Sequence, residues 1–383
     1  MRLRSSLAAA SACALALACP REPEVTPQQR ADGYYLQGQN EYLQGHFDKA
    51  LAAFNEARKH APDDPRLPAA LGELYIAEDK RLEALAQFHE AVRRDPRRAT
   101  NWSRLGYVQL QLREWDGGSE YGQAAASLER ALALNPKDFG ALESQAALAI
   151  SAGDADRAVA LYVAAARVGP EYRQGDWYLS AAELLERGGR QDAADAVLAD
   201  AVDAGTLAPE VHARLGERYV KKGDFAAALR AFETAAEHSK DASYWEMVAE
   251  LRVRADDEEG AQRAYQKSLA LEDRAVVHVA LAKLAFLRGD RDGAQAEMER
   301  ALSTAKGGSI RETLGIAELL VELGRKPDAL LLLENDAALP YGERDAELQL
   351  QTVLLARSLG KLDVAAVACG RLKRMDAGTP LCR

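Results

Sequence analysis

The chain has 383 residues, a length that would ordinarily be divided into two or three globular domains. Its composition argues otherwise: aromatics are only 6%, the 48% hydrophobic fraction comes mainly from Ala and Leu, and runs of β-branched residues are scarce, a mixture that favours helix throughout. The formal charge is −10 with both signs interspersed, so there is no basic stripe to follow a phosphate backbone, and nucleic acid is excluded as a ligand class.

In chain order, Arg2 and Arg4 provide a positive start and Leu7 to Ala18 an apolar run of about a dozen residues, too short to span a bilayer and shaped like a secretory signal. Residues 1–18 are therefore set apart as a signal peptide. The run ends in Leu15-Ala16-Leu17-Ala18-Cys19, which resembles the lipobox of bacterial lipoproteins. That resemblance implies a diacylglycerol on the Cys19 thiol and an acylated N-terminus. Together these would form a firm membrane anchor, since each buried methylene contributes about 0.8 kcal/mol. The alternative is an ordinary small-x-small cleavage site followed by an incidental cysteine. Residues 19–30 carry three prolines and almost nothing to bury, and are expected to form an extended tether of roughly 30 Å. Pro20, where an Asp would direct retention, implies by analogy with other lipoproteins the periplasmic face of the outer membrane.

From residue 31 one pattern is repeated. A small residue opens each second helix at Ala50, Ala84, Ala124, Ala158, Ala193, Ala228, Ala261, Ala294, Ala329 and Ala365, at intervals of 33 to 40 residues. Four residues after each comes a larger side chain, as at Phe54, Phe88, Leu128, Val197 and Phe232, on the same helix face. Twelve residues before most of them lies a second small residue, among them Gly38, Gly72, Ala181 and Gly216, which lets two antiparallel helices approach closely. Turn glycines (Gly45, Gly153, Gly188, Gly223, Gly289, Gly324, Gly360) and closing prolines (Pro62, Pro96, Pro136, Pro170) punctuate the copies. In the stretch 214–237 the pattern reads Leu215, Gly216, Tyr219, Ala228, Phe232, Ala235.

This pattern resembles the tetratricopeptide repeat, over residues 31–375. The resemblance implies an all-α fold, a right-handed superhelical solenoid of about ten antiparallel helix pairs, with residues 376–383 as a C-terminal tail. Asp200 and Asp336 stand where the late small residue of the second helix is expected, and the last two copies are degenerate. The third copy carries an insertion of about six residues with Trp115 inside it, either a projecting partner contact or a cover for its own hairpin.

No catalytic or metal-ligand constellation emerges. His212 and His278 fall at the first-helix aromatic position, the other histidines are scattered, and neither a phosphate-binding glycine loop nor a nucleophile motif is present. The expectation is a non-enzyme without cofactor, metal or small-molecule substrate. Cys369 and Cys382 remain as a possible disulfide that would pin the tail over the last helix in an oxidising compartment, a buried free thiol being the alternative.

In this family first-helix residues line a concave face. Carrying the register across places Tyr35, Arg66, Arg104, Tyr107, Tyr178, Arg214, Glu217, Glu246 and Glu250 there, with Trp115 beside it. Tyr35 and Gln39 occupy the places where the family's carboxylate clamp has Lys and Asn, so an extended or helical segment bearing apolar and some basic residues suits the face better. The functional expectation is a lipid-anchored periplasmic scaffold that recruits envelope-assembly proteins. A soluble secreted adaptor, or the regulatory subunit of an enzyme complex, is the alternative.

Overall fold

A computed structural model describes residues 25–112, 119–304, 310–337, 342–375 and 382. Cys19, Trp115, the signal peptide and most of the tail lie outside the described residues. The described chain holds twenty α-helices and one short 3-10 turn (Gly342–Arg344), and consecutive helices pair into ten antiparallel hairpins.

The chain divides into two compact units with the boundary between Val168 and Gly169. The first contains α1 (Pro27–Leu43), α2 (Phe47–His60), α3 (Arg66–Ala77), α4 (Arg81–Arg94), α5 (Ala99–Gln111), α6 (Ser119–Leu134), α7 (Phe139–Ser151) and α8 (Ala155–Val168). The second begins with α9 (Glu171–Arg187), α10 (Gln191–Asp203), α11 (Pro209–Lys222), α12 (Phe225–His238), α13 (Ala242–Arg254) and α14 (Glu258–Leu271). It continues with α15 (Ala275–Leu287), α16 (Arg291–Thr304), α17 (Ile310–Glu322), α18 (Lys326–Ala337), α19 (Ala346–Ser358) and α20 (Leu362–Arg374). Gly169-Pro170 marks the boundary, with Pro170 in extended conformation as the N-cap of α9.

The hairpin seam is built as the small–large pattern dictates. A Cβ added at Gly38 would lie 2.6 Å from the Phe54 ring, at Gly72 2.6 Å from Phe88, at Gly106 2.6 Å from Leu128 and at Gly216 2.7 Å from Phe232. In these four copies the absent side chain of one helix is the space filled by its partner. Asp79 (φ 58°) and Asp256 (φ 57°) adopt the left-handed conformation in the two copies whose turn has no glycine, a state that Asp tolerates better than most residues.

Two sequence assignments need correcting. The fifth copy is displaced by one residue. Ala194, Leu198 and Ala201 are the fully buried positions, not Ala193 and Val197. The turn glycine with positive φ is Gly189 rather than Gly188. Asp200 therefore does not replace the core alanine but lies beside it. The tether boundary also moves, because α1 begins at Pro27. Thr26 and Gln29 form a reciprocal capping box there, and Pro27 occupies the first helical position, where no N–H is needed.

Candidate interaction surfaces

Within each unit, ion pairs join several neighbouring first helices. Arg66 on α3 pairs with Asp32 on α1, and Arg104 on α5 with Glu73 on α3 at 2.7 Å. Arg214 on α11 reaches Glu186 on α9 at 3.2 Å, and Lys283 on α15 reaches Glu318 on α17 at 3.8 Å. Several residues assigned to partner contact thus already hold a structural partner, each exposed pair contributing about 0–1 kcal/mol.

In the first unit, Arg66 lies over the Tyr35 ring, 4.6 Å from its centroid, and Gln39 donates to the Tyr35 hydroxyl at 3.2 Å. Tyr35 and Gln39 line an open cavity of about 340 Å³ together with Tyr42, Glu73, Arg98 and Arg104, with Phe54 and Phe88 behind. Burial pushes the Tyr35 and Tyr42 hydroxyls up from their ordinary values. It raises the Glu73 carboxyl too, against the pull of Arg104. Tyr107 is half-buried against the cluster around Phe88 and Val108, and Arg104 is exposed.

In the second unit Glu217 and Glu250 are exposed. Glu246 is half-buried. It accepts from Arg274 at 2.6 Å and from Ser268 at 3.3 Å, and burial raises its carboxyl despite Arg274. Tyr178 corrects an expectation. It is fully buried, with its hydroxyl donating to Asp200 at 3.3 Å. With the register shifted by one, it occupies the first-helix aromatic position and supports the core instead of meeting a partner. His212 and His278 are structural as well. His212 is buried with Nε2 2.9 Å from the Thr206 carbonyl, matching Trp102, whose indole N–H donates to the Pro96 carbonyl at 2.9 Å. His278 is held between Asp273 (2.8 Å) and Glu297 (2.7 Å).

A surface that the sequence reading missed lies between α17 and α19. A cavity of about 940 Å³ is floored by Ile310, Leu314, Val321, Leu333 and Leu355 and edged by Glu318, Glu322 and Glu347. Its signal was present in the letters: residues 310, 314, 318, 322 and 347, 351, 355 follow the four-residue spacing of one helix face. The degenerate repeat letters of these copies hid it. Among the described residues no group of three or more metal-ligating side chains forms, and no helix is long and apolar enough to cross a membrane. Cys369 and Cys382 are joined as a disulfide, Cα atoms 5.4 Å apart, inside a cluster with Val353, Ala368 and Leu372.

Two family models described as tetratricopeptide repeat match residues 41–105 and 117–170. The chain is a tetratricopeptide-repeat protein. No curated relative matches it. Among solved structures, the MamA protein is 23% identical, covering 46% of this chain and 92% of its own, with a TM-score of 0.38. YrrB, described as a TPR protein with an unusual peptide-binding site, is 21% identical over 45% of this chain and 86% of its own, TM-score 0.35. TTC0263 from Thermus thermophilus is 21% identical over 61% and 98%, TM-score 0.35. At these values the likenesses add no functional argument. The repeat family itself serves protein–protein interaction, and an extended array of first-helix faces is the surface that such a scaffold offers.

Proposed function

We propose that this tetratricopeptide-repeat protein is a lipid-anchored scaffold on the periplasmic face of a bacterial outer membrane, gathering envelope-assembly proteins on its first-helix faces. The observation that carries the binding half is the pair of open cavities, one per unit, both lined by first helices. Each of the two lies in the 300–1,000 Å³ range of ligand sites. The anchoring half rests on the apolar run ending at Cys19 and on the proline-rich stretch after it.

Cells expressing the wild type and a Cys19→Ala variant, fed a labelled fatty acid, test the anchor. Label and membrane-fraction protein are expected in the wild type only. No label in either leaves a soluble secreted adaptor, and equal labelling would overturn Cys19 as the anchor. In-cell crosslinking followed by mass spectrometry tests the scaffold, with crosslinks expected on first helices. Crosslinks confined to second helices would refute the assignment of the binding face.

A further inference from the structure

The cavity between α17 and α19 joins an apolar floor to an acidic edge. Its wall residues on α17 lie at positions 310, 314, 318, 321 and 322 and those on α19 at 347, 351 and 355, so two helix faces look onto one space. Ile310, Leu314, Val321 and Leu355 pack against the core on one side yet stay only half-buried, so part of their apolar surface faces the cavity, and Leu333 of α18 also lines it. Glu318, Glu322 and Glu347 are exposed at the edge, and no described lining residue is positively charged. Lys283 on α15 reaches Glu318 at 3.8 Å, at the outer limit of an ion pair.

Apolar floor and acidic rim together define an occupant. Apolar side chains must fill the floor, and cations must stand along the edges about one helical turn apart, the spacing of Glu318 and Glu322. The cavity runs along α17 from Ile310 to Glu322, roughly 18 Å or three turns of helix. Gly315 opens it further: a Cβ built there meets nothing within 4 Å, so this glycine is not required by packing.

We infer that the α17–α19 cavity is the docking site for a basic amphipathic segment of a partner protein, its apolar side entering between the helices and its Lys or Arg side chains pairing with Glu318, Glu322 and Glu347. This rests on the scaffold reading above and names the partner class for one of its surfaces. The unit 1 cavity differs in sign, with Arg98 and Arg104 against Glu73 alone, so the two surfaces select different chemistry.

The test uses the full chain and a labelled fourteen-residue Leu/Lys peptide with helical spacing, compared with its Leu/Glu counterpart by fluorescence anisotropy. The Lys peptide is expected to bind at least about tenfold more tightly, and to weaken as salt rises from about 50 to about 200 mM. A Glu318→Gln, Glu322→Gln, Glu347→Gln variant should lose about tenfold in affinity. Gly315→Leu, filling the cavity, should abolish binding while melting no lower than the wild type. Glu237→Gln with Glu299→Gln, which removes the same kind of charge from exposed positions on the second helices α12 and α16, should leave binding unchanged. Equal affinity for the two peptides, binding retained in Gly315→Leu, or the same loss from the Glu237/Glu299 variant would each overturn the site. Such a failure removes this assignment alone, because the scaffold is tested separately by crosslinking.

Discussion

Asp64 is a short side chain in the loop before α3, and its carboxylate accepts from the Arg66 backbone N–H and Nε, both at 2.9 Å. The Arg66 side chain is the main cause holding the Asp64 carboxyl below its ordinary value of 3.8, burial acting in the opposite direction. The folded chain therefore binds this proton less readily than the unfolded one. The resulting stabilisation is complete above about pH 4 and is lost as pH falls through the lower folded value. Asp64→Asn is expected to cost about 1 kcal/mol at pH 7. Its urea-unfolding curve should converge on that of the wild type near pH 2, and an unchanged gap there would contradict the assignment. Arg66 also shows what a register position leaves open. An arginine there reads as a partner contact, but whether a carboxylate from the preceding hairpin, here Asp32, reaches it is decided in three dimensions.

At the scale of the element, the hairpin seam is the most legible feature of the chain. Small and large letters twelve and four residues from one alanine become a ring resting on a helix backbone, as in Gly72 beneath Phe88. Phe88 is fully buried, so its ring has no room to swing aside. Gly72→Ala gains up to about 1 kcal/mol in helix propensity yet overpacks the seam by about 1–3 kcal/mol. A net loss of about 1 kcal/mol in a denaturant melt is expected. Adding Phe88→Leu, the pairing already present at Gly106 and Leu128, should recover part of it; a double variant less stable than Gly72→Ala would contradict the packing account. The same pattern misled in the fifth copy, where Ala193 and Ala194 are adjacent and either satisfies the small-residue rule. Only burial separates them: Ala194 and Leu198 face the seam, and Tyr178 goes inward with them.

For the molecule as a whole, repeat hairpins contact mainly their neighbours, so a perturbation is expected to stay local. The Cys369–Cys382 bridge closes a short loop, a sequence separation of 13, for which chain-entropy arguments give about 3 kcal/mol. Cys382→Ser, or reductant, should accelerate hydrogen exchange in α19 and α20 and leave α1–α8 unchanged. Accelerated exchange in the first unit would show that the copies are not energetically local. The division at Gly169-Pro170 belongs to this scale too. The repeat periodicity of the letters continues through it.

The amino-acid sequence by itself determined the helical hairpin, its period, its number of copies and the family, because each of these depends on spacings of at most a few dozen residues along one chain. The tertiary structure decided which side chains face outward and which are already paired. Tyr178 left the binding face for the core, Arg66, Arg104 and Arg214 proved to have carboxylate neighbours, and the open acidic cavity appeared between α17 and α19. These outcomes depend on distances between residues some 20 to 40 positions apart, and a local pattern cannot fix which of two neighbouring helices a side chain will meet.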